Sequence, residues 1–118
     1  MRKMKSMTAY RKWEIVLVPF PFTNMKSSKK RPALVISPDQ YNDQLDVVIA
    51  FITSKLDQSN RCGDYIINEW SSSGLPKPSM LRMKFATVDK SMIIKKIGKL
   101  SKRDQGSFTN QLVDFFTT

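Results

Sequence analysis

Lys29-Lys30-Arg31-Pro32-Ala33-Leu34-Val35-Ile36-Ser37 joins a cluster of positive charge directly to an apolar run. The run is too short for a typical helix, opens on one proline and is stopped by Pro38, so the stretch predicts a buried strand over Pro32 to Ser37. Arginine at the start of a strand stands on a stiff base. Arg31 can then grip two oxygens of one phosphate with a planar fork that stays charged at any relevant pH. It can equally be a solvated arginine beside two lysines at a loop end, and this stretch alone does not decide between them.

Upstream, Trp13 to Phe22 reads as an extended strand. Glu14-Ile15-Val16-Leu17-Val18 is β-rich, and Pro19 and Pro21 forbid a helix. Prolines at alternate positions suggest an edge, or a strand leaving the sheet. Thr23 to Lys30 is polar and reads as a loop. Downstream, Asp39 to Asp46 is turn-like, and Val47 to Ile52, apolar on both faces, predicts a central strand. That strand ends in Thr53-Ser54. The Thr53 hydroxyl could donate to a non-bridging phosphate oxygen, although hydroxyls at strand ends commonly cap turns.

Leu56 to Gly63 reads as a loop, Asp64 to Trp70 has strand character, and Ser71 to Pro78 is rich in turn formers. Ser79 to Met83 predicts a short strand, and Phe85 to Ile94 a further pair of extended pieces around Asp89-Lys90. Arg82 and Lys84 alternate across Met83, on one strand face. There they widen a positive groove or form the wet side of the strand. Only the tail is helical in pattern. Ser101 and Asp104 make a capping box, and Phe108, Leu112, Phe115 and Phe116 recur along one apolar face. Many short strands followed by one closing helix predict a mainly β domain, a small bent barrel with a C-terminal helix packed on it.

The 118 residues fit one domain, with residues 1–11 expected as a basic, loosely held leader and 12–118 as the domain proper. Twenty Lys and Arg against ten Asp and Glu give a net charge of +10. Such a field attracts polyanions, nucleic acid ahead of acidic protein partners. A single cysteine excludes an internal disulfide and fits a cytosolic compartment. No apolar segment follows the basic start to make a signal peptide, and Val47 to Ile52 falls far short of the ~18 residues of a membrane span. The absence of histidine is the most restrictive fact: it excludes histidine-dependent ribonuclease chemistry, Ser-His-Asp triads and His-ligated metal sites. Among the aromatic residues, Phe20 and Phe22 flank the polar loop and are candidates for base stacking, worth ~1–3 kcal/mol per base in single-strand binders.

The ordered set Trp13-Glu14-Ile15-Val16-Leu17-Val18-Pro19-Phe20-Pro21-Phe22-Thr23, Lys30-Arg31-Pro32-Ala33-Leu34-Val35-Ile36-Ser37, Ile52-Thr53-Ser54, Gly74-Leu75 through Pro78-Ser79, and Thr87-Val88-Asp89-Lys90 resembles the MazF/PemK toxins of type II toxin–antitoxin systems. The likeness runs from about Tyr10 to Phe116. It implies the small SH3-like barrel of the CcdB/MazF/PemK type, a homodimer, and a prokaryotic cytoplasmic setting. It also implies a toxin endoribonuclease, an mRNA interferase that cleaves single-stranded RNA at short specific sequences without metal or other cofactor and is blocked by a cognate antitoxin. The family's catalytic arginine and threonine fall on Arg31 and Thr53. Phe20, Phe22, Lys29, Lys30, Ser54, Arg82 and Lys84 are the expected RNA-contacting set. The implied chemistry is attack of a ribose 2′-OH on the adjacent phosphorus, leaving a 2′,3′-cyclic phosphate and a 5′-OH.

This chain departs from the family pattern in two places. Trp13-Glu14 replaces the usual Gly-Asp or Gly-Glu, which removes a flexible turn before the first strand. Arg82 matches an arginine that PemK-type members follow two residues later with an aspartate proposed as base, but Lys84 stands there instead. No acid–base role transfers to Lys84, which keeps a non-catalytic RNA-binding barrel open as an alternative. A CcdB-like gyrase inhibitor is a more distant one.

Overall fold

The computed structural model describes residues 9–20, 29–57 and 61–118. Most of the basic leader, and Phe22, lie outside the described residues. Six strands are present: β1 (Glu14–Phe20), β2 (Lys29–Val35), β3 (Asp46–Thr53), β4 (Tyr65–Ile66), β5 (Met80–Asp89) and β6 (Lys95–Lys99). A short helix α1 (Asp39–Asn42) precedes β3, a 3-10 turn spans Lys90–Met92, and α2 (Lys102–Thr117) closes the chain. The strands form one antiparallel sheet in the order β4-β5-β3-β2-β1-β6. It curls into a half-barrel with α2 packed on it, the mainly β domain with a C-terminal helix expected above.

β3 is central, as its two-sided apolarity requires. Val47, Ile49 and Phe51 join Val16, Val18, Ala33 and Val35 on one face of the sheet. Ala50 and Ile52 join Ile15, Leu34 and Leu81 on the other, where Phe108 of α2 is fully buried. Successive side chains of a strand alternate between faces, so a strand buried on both sides must be apolar throughout. β2 begins earlier than its apolar run, at Lys29. Arg31 is therefore held within the ladder instead of at a loop end.

β1 is not an edge strand; β2 and β6 flank it. Pro19 is nevertheless accommodated as an edge residue is, while Pro21 lies outside the described residues. The Leu17 carbonyl accepts from Ile94 N–H on the β6 side, so Pro19, two residues on, turns its missing N–H to that same side. The β6 ladder stops at Leu17, and no ladder bond is lost there. Trp13 adopts φ 80°, so the turn before β1 persists without glycine. A bulky residue in the left-handed region costs about 1–3 kcal/mol. Hydrogen bonds from Trp13 N–H to the Val35 carbonyl and from Leu100 N–H to the Trp13 carbonyl hold it there.

Several segments differ from the sequence expectation. Met80–Asp89 is one continuous strand where separate pieces were expected, and Lys95–Lys99, assigned to no element from the sequence, pairs with β1 as β6. Asp39–Asn42 forms one helical turn, closed by a buried pair in which Ser37 Oγ donates to Asn42 Oδ1. Of the Asp64 to Trp70 stretch, only Tyr65–Ile66 pairs as a strand. The next backbone donors go elsewhere: Asn68 and Glu69 N–H groups donate to the Asp104 carboxylate at 3.0 and 2.9 Å. Asp104 is the buried N3 residue of α2, whose cap Ser101 Oγ accepts from Asp104 N–H at 3.2 Å. Burial alone would raise this carboxyl, but hydrogen bonds from Tyr65 Oη–H and the Glu69 and Asn68 backbone outweigh it and hold the group below its usual range. The apolar face of α2 is buried at Phe108 but open toward its end, where Phe116 is 66% exposed. No described helix is long and apolar enough to cross a membrane.

Candidate active site

Ala33 of β2 stands opposite Phe51 of β3. The paired stretch runs from there to Val35 and Ile49. Just beyond it, Arg31 of β2 and Thr53 of β3 both line one cleft of about 230 Å³ at the rim of the half-barrel. β2 contributes Lys30, Arg31 and Pro32, and the end of β3 contributes Ile52, Thr53, Ser54 and the following Lys55. The third wall comes from the loop before β5, through Leu75, Pro76, Lys77 and Ser79.

Arg31 is half-buried, and its Nε–H is buried with no hydrogen-bond partner among the described residues. Leaving a buried donor unmet costs about 1–3 kcal/mol, which an incoming acceptor would return. The guanidinium also lies 5.9 Å from the centre of the Phe20 ring, which restricts its swing. Thr53 Oγ1 accepts from Lys55 N–H at 3.1 Å. The turn-capping role therefore coexists with a site role, because accepting that bond leaves the hydroxyl proton to be donated.

The loop wall is fixed by close backbone contact. Gly74 has φ +91°, and a Cβ on it would fall 2.1 Å from the Ile97 carbonyl oxygen. A Cβ on Gly98 of β6 would fall 1.8 Å from the Ser73 carbonyl oxygen. Only glycine at both positions lets loop and strand meet. Leu75, buried on the α2 side of the sheet, anchors the next residue.

Of the other residues expected from the sequence, Lys30 and Ser54 line the cleft, while exposed Lys29 does not. Phe20 is half-buried and meets the Phe51 ring edge-on at 5.2 Å, so it acts as a wall behind Arg31 and is absent from the cleft lining. Arg82 requires a correction. It is 8% exposed and belongs neither to the groove nor to a wet strand face. Its Nη1 lies 3.1 Å from Asp64 Oδ2 in a buried ion pair. The β3–β5 register is irregular between Ala50 and Ile52, where β5 carries extra residues, and Arg82 and Lys84 fall in that irregular stretch. Lys84 is exposed, with its ammonium 5.3 Å from the Phe20 ring centre. Asp64, which sequence reasoning passed over, thus pairs the arginine that lacks its aspartate two residues on. Lys55, Lys77 and Ser79 were also missed as cleft residues. The signal for Lys77 was its place between Pro76 and Pro78, a stiff mount for one cation.

No curated protein is significantly similar to the chain in sequence. Solved structures match it along nearly its whole length. A mycobacterial endoribonuclease in complex with its cognate antitoxin aligns with TM-score 0.71 at 14% identity, over 92% of this chain and 93% of that one. The Mycobacterium tuberculosis toxin MazF-mt6 gives 0.70 at 17% identity, over 87% and 95%. MazF in its MazE–MazF complex from Deinococcus radiodurans gives 0.71 at 15% identity, over 95% and 99%. At such identities the likeness speaks for the fold. The family model for PemK-like, MazF-like toxins of type II toxin–antitoxin systems matches residues 11–116, and the chain belongs to that family.

Proposed function

We propose that this toxin is an endoribonuclease that cleaves single-stranded RNA by attack of a ribose 2′-OH on the neighbouring phosphorus. The observation that carries the proposal is that Arg31 and Thr53 line one cationic cleft. Arg31 binds the non-bridging oxygens and stabilises the charge that grows on them in the transition state. Thr53 donates its hydroxyl to the same phosphate and fixes the phosphorus in line for attack. The cleft's polar side chains are ammonium, guanidinium and hydroxyl groups, with no carboxylate or imidazole to hold a divalent ion. That donor set favours a metal-independent route. The sequence-specific recognition of mRNA belongs to the same reading.

Two partners complete it. A cognate antitoxin would block the cleft, as supported by family membership and by relatives solved with theirs. A second copy of the chain would form the homodimer. A non-catalytic RNA-binding barrel is the second reading, favoured by Lys84 where other members carry an acid. The test is incubation of antitoxin-free protein with a long RNA in EDTA, followed by mapping of the ends. Discrete fragments bearing 2′,3′-cyclic phosphate and 5′-OH ends are expected, with DNA of the same sequence uncut. RNA bound but left intact would select the non-catalytic reading.

A further inference from the structure

Breaking the P–O5′ bond needs a proton for the departing oxygen, because an alkoxide is a poor leaving group in water. The cleft restricts who can supply it. Guanidinium keeps its protons at any pH the protein meets, and aliphatic hydroxyls are far weaker acids than ammonium. The candidates among the lining residues are therefore Lys30, Lys55 and Lys77. They are mounted differently. Lys30 is next to Arg31 on β2, so their side chains leave opposite faces of the strand. Lys55 follows the end of β3, with its backbone committed to orienting Thr53.

Lys77 sits on a built support. Pro76 and Pro78 flank it, which fixes the φ of both neighbours and biases Lys77 itself toward extended backbone. Ser79 Oγ donates to the Lys77 carbonyl at 2.8 Å, and Ile67 N–H donates to the Ser79 carbonyl at 3.0 Å. Leu75 and Ser79 on either side are buried, at 4% and 3% exposure. Gly74 then pins the loop to β6. The chain thus immobilises the backbone on both sides of Lys77, an exposed residue of the cleft lining.

We infer that Lys77 is the general acid of the cleavage, an inference that rests on the ribonuclease reading above. As the O2′–P bond forms and the P–O5′ bond breaks, Lys77 Nζ gives a proton to O5′. The 2′-OH proton passes to water, and the neutral amine regains its own from solvent. No group changes oxidation state.

The test is single-turnover cleavage by the full chain of an RNA oligonucleotide with one scissile linkage. The substrate is made once with oxygen and once with sulfur at the bridging 5′ position, since a thiolate departs without being protonated. Lys77→Ala and Lys77→Arg are expected to slow the oxygen substrate by about 10²–10³-fold, yet to cleave the sulfur substrate within about threefold of wild type. Arginine keeps charge and length but has no proton to give, so it serves even if the alanine variant is unfolded. An equal deficit on both substrates, or full activity of Lys77→Arg on the oxygen substrate, would overturn the assignment while leaving the ribonuclease reading intact. Wild-type protein that cuts neither substrate would overturn both.

Discussion

Two arginines on neighbouring parts of this sheet have opposite fates. Arg31 lines a cleft and has a buried Nε–H without a partner among the described residues, whereas Arg82 spends its charge on Asp64 inside the protein. Substitution should separate them. Arg31→Ala should lower cleavage by on the order of 10³-fold with an unchanged melting temperature, because it removes a transition-state contact and little packing. Arg82→Ala should instead lose about 3–5 kcal/mol of folding stability in a denaturant titration, since it strands a buried carboxylate. Arg82 loss of activity at full stability would show that it works in the site after all. In sequence both were candidate phosphate contacts, Arg31 at the start of a strand and Arg82 within one. Asp64 was too remote for any spacing rule to pair it with Arg82, and only the fold brought them together. That Arg31 and Thr53 could meet was suggested by each marking the end of an apolar run, and both line one cleft; the run itself did not decide between a site role and a bland one.

The loop between β4 and β5 and the start of α2 show how elements position the site. Gly98 meets the Ser73 carbonyl at a distance that tolerates no side chain, and both partners are backbone, so nothing can swing aside. Gly98→Ala should cost about 1–3 kcal/mol and displace the loop that bears Lys77, lowering cleavage as well as stability. Wild-type stability in that variant would mean that the loop is not pinned there. Asp104 organises the other end of the segment. Its hydrogen bonds keep the folded carboxyl below its usual range, so its stabilisation is complete above the ordinary value near ~3.9 and fades as pH falls through the lowered folded value. Asp104→Asn should lose about 2–3 kcal/mol at neutral pH and show a shallower decline than wild type below about pH 4. Parallel acid limbs would contradict this role. The Ser101–Asp104 capping box was readable from spacing alone. Its second job, drawing Asn68 and Glu69 out of a strand, was not, because a local pattern does not reveal which distant donors a buried carboxylate will collect.

At the scale of the molecule, a mainly β domain closed by a helix was readable because the unbroken apolar run of β3 and the helical repeat of the tail need no long-range information. The +10 charge led to the expectation of a polyanion, but composition does not say where the cations gather. The fold brings Lys30 and Arg31 of β2, Lys55 after β3 and Lys77 of the β4–β5 loop to one cleft. The central claim is that Arg31 and Thr53 act as one unit on a single phosphate. A double-mutant cycle on single-turnover RNA cleavage tests it most directly, using Arg31→Ala, Thr53→Val and the pair. The account predicts strong non-additivity, with the double variant no slower than Arg31→Ala within about threefold and a coupling of at least about 1 kcal/mol. Losses that simply multiply, with no measurable coupling, would contradict it.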